Sequence, residues 1–166
     1  MELYILRHAI AVKRGSKEYP NDDRPLTNDG IQKMKSAAGG IRNIVGDVNV
    51  ILTSPLIRAR DTAKIVAKAL KYKREILTCE ELLPGKPIAG LMTYLAKFKT
   101  NAKVVLIGHE PDLGLAASAF LGCDQPVIQF KKGGLCRIDV PAIPLKEPGT
   151  LIWHLTPNHL RMIAEG

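Results

Sequence analysis

Three segments of this chain each place a cation or a titratable ring directly after a strand-like run. Arg7 and His8 close "ILRHA", Arg58 lies in "ILTSPLIRARDTA", and His109 follows "VVLIG" in "VVLIGHEPD". A neutral histidine is a nucleophile toward phosphorus. Arginines offer fixed forks of donors that match phosphate oxygens. A second histidine, when protonated, adds one more donor to developing negative charge. Two arginines and two histidines around one pocket therefore suit phosphoryl transfer, and that scheme needs no metal. Taken singly, each residue has an ordinary structural explanation, as a surface histidine or a salt-bridging arginine. Arg58 is unusual in a first helical turn, because the helix dipole disfavours cations there unless an anion lies in front.

The elements that must position these groups alternate along the chain. Residues 2–7 read as a short central strand, apolar with little alternation, as expected where both faces are covered. A polar loop, 11–26, follows and is long for an ordinary connection. Thr27 can cap a helix over 28–45, with Ile31, Met34, Ala38, Ile41 and Val45 on one face and Gly39 and Gly40 weakening its middle. A strand is predicted at 48–52, then a helix to Leu70 with Ser54 as its cap and Pro55 in its first turn. Further strands are predicted at 74–78 and 102–108, and helices at 87–98 and 112–121. Strand-like runs at 126–130, 135–140 and 150–154 and a short helix at 158–164 complete the chain. This order predicts one domain over 1–166, an α/β sandwich with helices on both faces of a mostly parallel sheet and antiparallel strands at one edge. Ligands in such sheets sit at the carboxyl ends of the strands, so the three segments can converge there.

Composition bounds the function. The chain has 166 residues and a formal net charge of +8, which suits an anionic substrate or partner. Only 5% of residues are Phe, Trp or Tyr, too few for base-stacking platforms, and no nucleic-acid-binding motif is present. No secretory pattern or long apolar run is found, so a soluble cytoplasmic protein is expected. Cys79, Cys123 and Cys136 lack metal-ligand spacing and read as unpaired and buried. His154 and His159 read as structural, with Trp153 rather than His154 facing the core.

Taken in order, these motifs form a recognisable signature. Arg7-His8-Ala9 after the first strand resembles the first motif of the histidine phosphatase superfamily, the phosphoglycerate-mutase-like fold. "SPLIRARDTA", 54–63, is similar to its second motif and "GHEP", 108–111, to its third. The length, "DDRPLTNDG" at 22–30 and "WHLTPNHL" at 153–160 resemble the small phosphohistidine phosphatases of the SixA type. The resemblance spans nearly the whole chain. It implies a three-layer α/β/α sandwich in which His8 attacks phosphorus and carries a covalent phosphoryl group. Arg7, Arg58 and His109 would hold the phosphoryl oxygens, and water would release phosphate. Arg24, in "RPLT", would be a further phosphate or substrate contact, or a loop-anchoring ion pair.

The departure from larger members is the acid that protonates the leaving oxygen. The nearest match is Glu81, in "CEELLPG", whose alternative is a helix cap or a surface ion pair. A weak acid is tolerable for some substrates: imidazole has a pKa of about 6.5, whereas an alcohol leaves as a far stronger base. The expected substrate is therefore phosphohistidine on a protein, such as a phosphorelay domain. The alternatives are a phosphatase of small phosphorylated metabolites and a noncatalytic module for phosphate or nucleic acid. No cofactor, metal, membrane or specific nucleic acid is expected, and a monomer is favoured over an oligomer.

Overall fold

The computed structural model describes residues 1–166. Six strands form one sheet: β1 (Glu2–Arg7), β2 (Val50–Thr53), β3 (Leu77–Thr78), β4 (Lys103–Gly108), β5 (Leu135–Asp139) and β6 (Thr150–Leu155). Their spatial order is β3-β2-β4-β1-β5-β6. The first four run parallel, and β5 and β6 are antiparallel to their neighbours at one edge. The helices are α1 (Asn28–Val45), α2 (Ile57–Ala69), α3 (Ile88–Leu95), α4 (Asp112–Phe120) and α5 (Pro157–Glu165), with a 3-10 turn at Glu80–Leu82.

Strand periodicity divides the interior into two cores. Leu3 and Ile5 of β1, with Val104 and Leu106 of β4, face Leu91 and Leu95 of α3 and Leu113 and Phe120 of α4. Tyr4 and Leu6, with Val105 and Ile107, face Met34 and Ile41 of α1, Ala63 and Val66 of α2 and Leu160 of α5. The result is a three-layer α/β/α sandwich. Because β1 leads to α1 on one face and β4 leads to α4 on the other, a crevice opens between the carboxyl ends of these adjacent strands. His8 and His109 are the residues that follow those two ends.

Thr27 caps α1 as predicted, its hydroxyl accepting the Gly30 N–H at 3.0 Å. The glycines in the middle of α1 have a packing role: a Cβ on Gly40 would overlap the Leu160 carbonyl of α5, so the close crossing of α1 and α5 requires glycine there. Trp153 packs against Tyr4, ring centroids 6.0 Å apart, while His154 is exposed. His159 forms a capping box with Thr156 at the start of α5.

Three predicted elements differ. Ser54 is not the cap of α2: Leu56 occupies that position without a side-chain cap, and the helix begins at Ile57. The strand expected at 74–78 shortens to Leu77–Thr78. The expected strand at 126–130 does not form. Its apolar Ile128 and Phe130 are buried, but side chains take its backbone donors: Val127 N–H donates to Ser118 Oγ, and Phe130 N–H to the Glu110 carboxylate. Cys79 and Cys136 are buried, Cys123 is half-buried, and all three are unpaired. No helix is long and apolar enough to cross a membrane.

Candidate active site

The ends of β1 and β4 are fixed by backbone before any side chain is considered. His8 N–H donates to the Gly108 carbonyl at 3.1 Å, which ties the two strand ends together. On the other side Gly133 N–H donates to the carbonyls of Arg7 and His8, and Arg7 N–H donates to the Gly134 carbonyl. Gly133 has φ of +79°, so this turn needs glycine to bring its N–H against β1. Thr62 of α2 closes the arrangement: its Oγ1 accepts Ala9 N–H at 3.0 Å and donates to the Arg58 carbonyl at 2.7 Å.

His8 is 5% exposed, and its Nδ1 lies 2.7 Å from the Ala9 carbonyl. A carbonyl only accepts, so the proton sits on Nδ1, and neutral His8 presents an unprotonated Nε2. Burial pushes its pKa from 6.5 down to about 3, with the His109, Arg58 and Arg7 charges acting in the same direction. His8 is thus a free base at neutral pH, with its tautomer fixed. The His109 ring lies 5.1 Å away, centroid to centroid, and its Nε2 is 2.7 Å from Ser54 Oγ. Burial, followed by the charge of Arg58, also pushes His109 down to about 3.

Arg58 is 1% exposed, and its anion is supplied by the long polar loop. Its Nη1 donates to the Asp22 carbonyl at 2.8 Å and its Nη2 to Asp22 Oδ2 at 3.0 Å. Arg24 Nε donates to Asp22 Oδ1 at 2.6 Å, and Arg24 Nη1 to the Val12 carbonyl at 2.6 Å. Partial burial would raise the Asp22 carboxyl, but the hydrogen bond from Arg24 and the charge of Arg58 hold it below its ordinary value. One carboxylate therefore orients two guanidinium groups. Arg7 Nη1 donates to the Phe130 carbonyl at 2.7 Å.

These groups line a cavity of about 600 Å³. Arg7, Arg24 and Arg58 border it with His8 and His109, and Lys13, Arg14 and Lys132 add further positive charge. Its carboxylates are Glu110 and Asp112. Three buried polar side-chain atoms lack a hydrogen-bond partner in the protein, namely Arg7 Nε, Arg58 Nε and His109 Nδ1. All three belong to residues of this cavity, and such atoms are costly unless an acceptor reaches them. Such a set of cations and unpartnered nitrogens suits an oxyanion, and the unprotonated Nε2 of His8 lies among them. No cluster of three or more His, Cys, Asp or Glu suited to a metal forms.

The structure thus brings Arg7, His8, Arg24, Arg58 and His109 together and leaves Glu81 outside. Glu81 lines the adjoining cavity between α3 and α4, which shares His109, Gly85 and Asp112 with the His8 cavity, and its carboxylate is packed against Gly90. That position follows from the 3-10 turn, which turns the Glu81 side chain toward α3. Ser54, Thr62, Asp22 and Glu110 are site residues that sequence reasoning did not assign. Thr62 lies within "SPLIRARDTA" and Asp22 within "DDRPLTNDG", but neither position reveals which atom it holds.

The family model of the histidine phosphatase superfamily (branch 1) matches residues 3–83. The solved structure of the protein histidine phosphatase SixA complexed with tungstate superposes with a TM-score of 0.84, at 23% identity, covering 96% of this chain and 99% of that one. The chain belongs to the histidine phosphatase superfamily. Within this superfamily, phosphohistidine phosphatase SixA of Escherichia coli is 24% identical over 164 residues, 98% of each chain. An uncharacterised protein of Picosynechococcus sp. is 37% identical over 139 residues, covering 81% of this chain and 82% of its own length.

The two depressed histidines give this superfamily member a defined acid response. Between pH 6.5 and about 3 the unfolded chain binds protons at His8 and His109 that the folded chain does not. Stability is therefore full above pH 6.5 and falls as pH falls through that window, by about 1.4 kcal/mol per pH unit for each histidine. Urea midpoints measured from pH 7 to pH 4 should fall for the wild type and fall less steeply for His8→Asn. Parallel slopes for the two proteins would contradict the depressed pKa of His8.

Proposed function

We propose that this protein is a phosphohistidine phosphatase acting on a phosphorylated protein through a covalent phosphoryl group on His8. The observation that carries this reading is a neutral His8, its tautomer fixed by the Ala9 carbonyl, set in a cavity with three unpartnered buried nitrogens, two of them guanidinium donors. In this mechanism Nε2 attacks phosphorus, the P–N bond of the substrate phosphohistidine breaks and its imidazole departs with that electron pair, while Arg7, Arg58 and His109 take up the charge of the transferring oxygens. With the Ser54 hydroxyl donating to His109 Nε2, the proton of neutral His109 lies on Nδ1, the nitrogen that has no protein partner. Arg24 adds a cation at the wall and anchors the loop through Asp22. Water then attacks the phosphoryl-histidine and releases phosphate.

The substrate class follows from the leaving group. Glu81 is directed to α3, Asp112 Oδ1 accepts Gly85 N–H at 3.1 Å, and Glu110 accepts Phe130 N–H. Each of these carboxylates is thus directed to a neighbouring element or to a backbone N–H. Imidazole, with a pKa of about 6.5, needs far less assistance. The SixA likenesses support the same substrate, and the tungstate held by one of them is a tetrahedral oxyanion, as phosphate is. The three unpaired cysteines fit a reducing compartment, the cytoplasm.

A substrate panel tests this reading. kcat/KM for a phosphohistidine-bearing carrier domain should exceed that for a phosphoserine peptide and for sugar phosphates by about 100-fold or more, which is about 2.7 kcal/mol of transition-state preference. A sugar phosphate ahead of every phosphohistidine substrate by the same factor would instead identify a metabolite phosphatase.

A further inference from the structure

Glu110 follows His109 directly and lies within "GHEP", yet the phosphoryl chemistry above gives it no role. Its carboxylate borders the His8 cavity and accepts the N–H of Phe130. Phe130 belongs to the stretch between α4 and β5 that forms no ladder, so its backbone has no strand to hold it. Its ring is 1% exposed, and its carbonyl accepts Arg7 Nη1. The Phe130 peptide is therefore gripped by Glu110 on its N–H side and grips Arg7 on its C=O side. We propose that Glu110 is the positioning residue for the Arg7 guanidinium, acting through the backbone of Phe130.

The physical reason lies in the shape of a guanidinium. Five donors lie in one plane, so fixing one nitrogen fixes the direction of the others. Arg7 Nη1 is taken by the Phe130 carbonyl, and Nε has no protein partner. A carbonyl free to swing would let that plane swing, and a misplacement near 1 Å at a reacting centre costs about 10²-fold. The other oxygen of Glu110 is seated as well. Oε2 lies 3.0 Å from where a Cβ on Gly114 would stand, so glycine at 114 leaves room for the carboxylate. The Glu110 charge also favours the cationic form of Arg7, against the desolvation that lowers its pKa.

The competing role is proton donation to the leaving group. Burial raises the Glu110 carboxyl above its ordinary value, but the backbone N–H groups of Phe130 and Gly114 oppose that rise, because they favour the ionised form. A proton donor would have to give up the acceptor role in which Oε1 holds the Phe130 N–H. The two roles separate cleanly in one variant. Glu110→Gln keeps an acceptor for Phe130 N–H and removes any transferable proton.

This inference rests on the reading that Arg7 grips the phosphoryl group, so its test includes a probe independent of turnover. Glu110→Ala and Glu110→Gln would be made in the wild-type protein and in Arg7→Ala, with Arg7→Lys as a second background if Arg7→Ala does not fold. Orthophosphate affinity would be measured by calorimetry, and kcat and KM with a phosphohistidine peptide. Glu110→Ala should weaken orthophosphate binding about 10-fold and lower kcat/KM by about 10- to 100-fold, a loss of the size seen when supporting partners of a site are removed. Glu110→Gln should stay within about threefold of wild type with an unchanged pH profile. In the Arg7-substituted backgrounds Glu110→Ala should change orthophosphate affinity by less than about twofold, because the group it positions is gone. Equal losses with and without Arg7 would overturn the proposal. So would a Glu110→Gln variant as damaged as Glu110→Ala with the alkaline limb of its pH profile shifted, which would make Glu110 an acid. Coupling in orthophosphate binding without hydrolysis of phosphohistidine would uphold the role of Glu110 and overturn the assigned substrate.

Discussion

Replacing His8 by Ala should remove turnover, lowering kcat by about 10⁴-fold or more, while the protein stays folded. Loss of an attacking group that works as a unit with its surroundings costs on that scale. No other group in the cavity can substitute. His109, the nearest imidazole, has Nε2 taken by Ser54, and the remaining candidates are cations or engaged carboxylates. Folding should survive because His8 contributes one side-chain hydrogen bond, to the adjacent Ala9 carbonyl, and β1 is held by its own ladders to β4 and β5. Steady-state kinetics with a phosphohistidine carrier, beside a thermal melt of each protein, check this. Residual kcat within 100-fold of wild type would show that another group attacks phosphorus.

The second large effect is expected at Arg58. Arg58→Ala should lower kcat/KM by about 10²- to 10³-fold, the usual cost of removing one donor from a site that stabilises developing charge. Arg58→Lys should recover little, since an ammonium cannot hold both Asp22 and a phosphoryl oxygen in one plane. The loss has two sources. The phosphoryl group loses a donor, and Asp22 loses the partner that ties the 11–26 loop to α2, which frees Arg24 to move with it. Asp22→Asn separates them: it keeps a hydrogen-bonding side chain and leaves Arg58 in place, so its kcat/KM should fall by only about 10-fold. The same kinetic assay reads both variants. An Asp22→Asn loss equal to that of Arg58→Ala would mean that loop anchoring, and not direct contact with phosphate, is the role of Arg58.

Much of this site was legible in the sequence because its principal residues sit at the ends of regular elements. The ends of β1 and β4 could be placed within a residue from their apolar runs, and that put His8 and His109 at the carboxyl edge. The Thr27 cap and apolar spacing likewise placed α1 with its observed bounds. What could not be read depends on where irregular backbone goes. Ser54 has the residue type and position of a helix cap, yet its hydroxyl bonds His109, brought near by the pairing of β2 with β4. Asp22 lies in a loop with no period, in the left-handed region at φ of +60°, and its value to Arg24 and Arg58 exists only once that loop folds over α2. Residues 126–130 have the apolar content of a strand, but β5 pairs with β1 and β6 and leaves them no ladder. Glu81 shows the converse: its type and neighbourhood fit an acid, and the 3-10 turn directs it to α3 instead.

Rapid-quench trapping tests the central claim most directly. Wild-type protein and His8→Ala would be mixed with a radiolabelled phosphohistidine carrier domain and stopped within milliseconds. The account predicts an acid-labile, base-stable phosphoryl group on wild-type protein alone, mapping to His8 and decaying as phosphate appears. Phosphate release with no labelled protein at any time, or label on a residue other than His8, would contradict it.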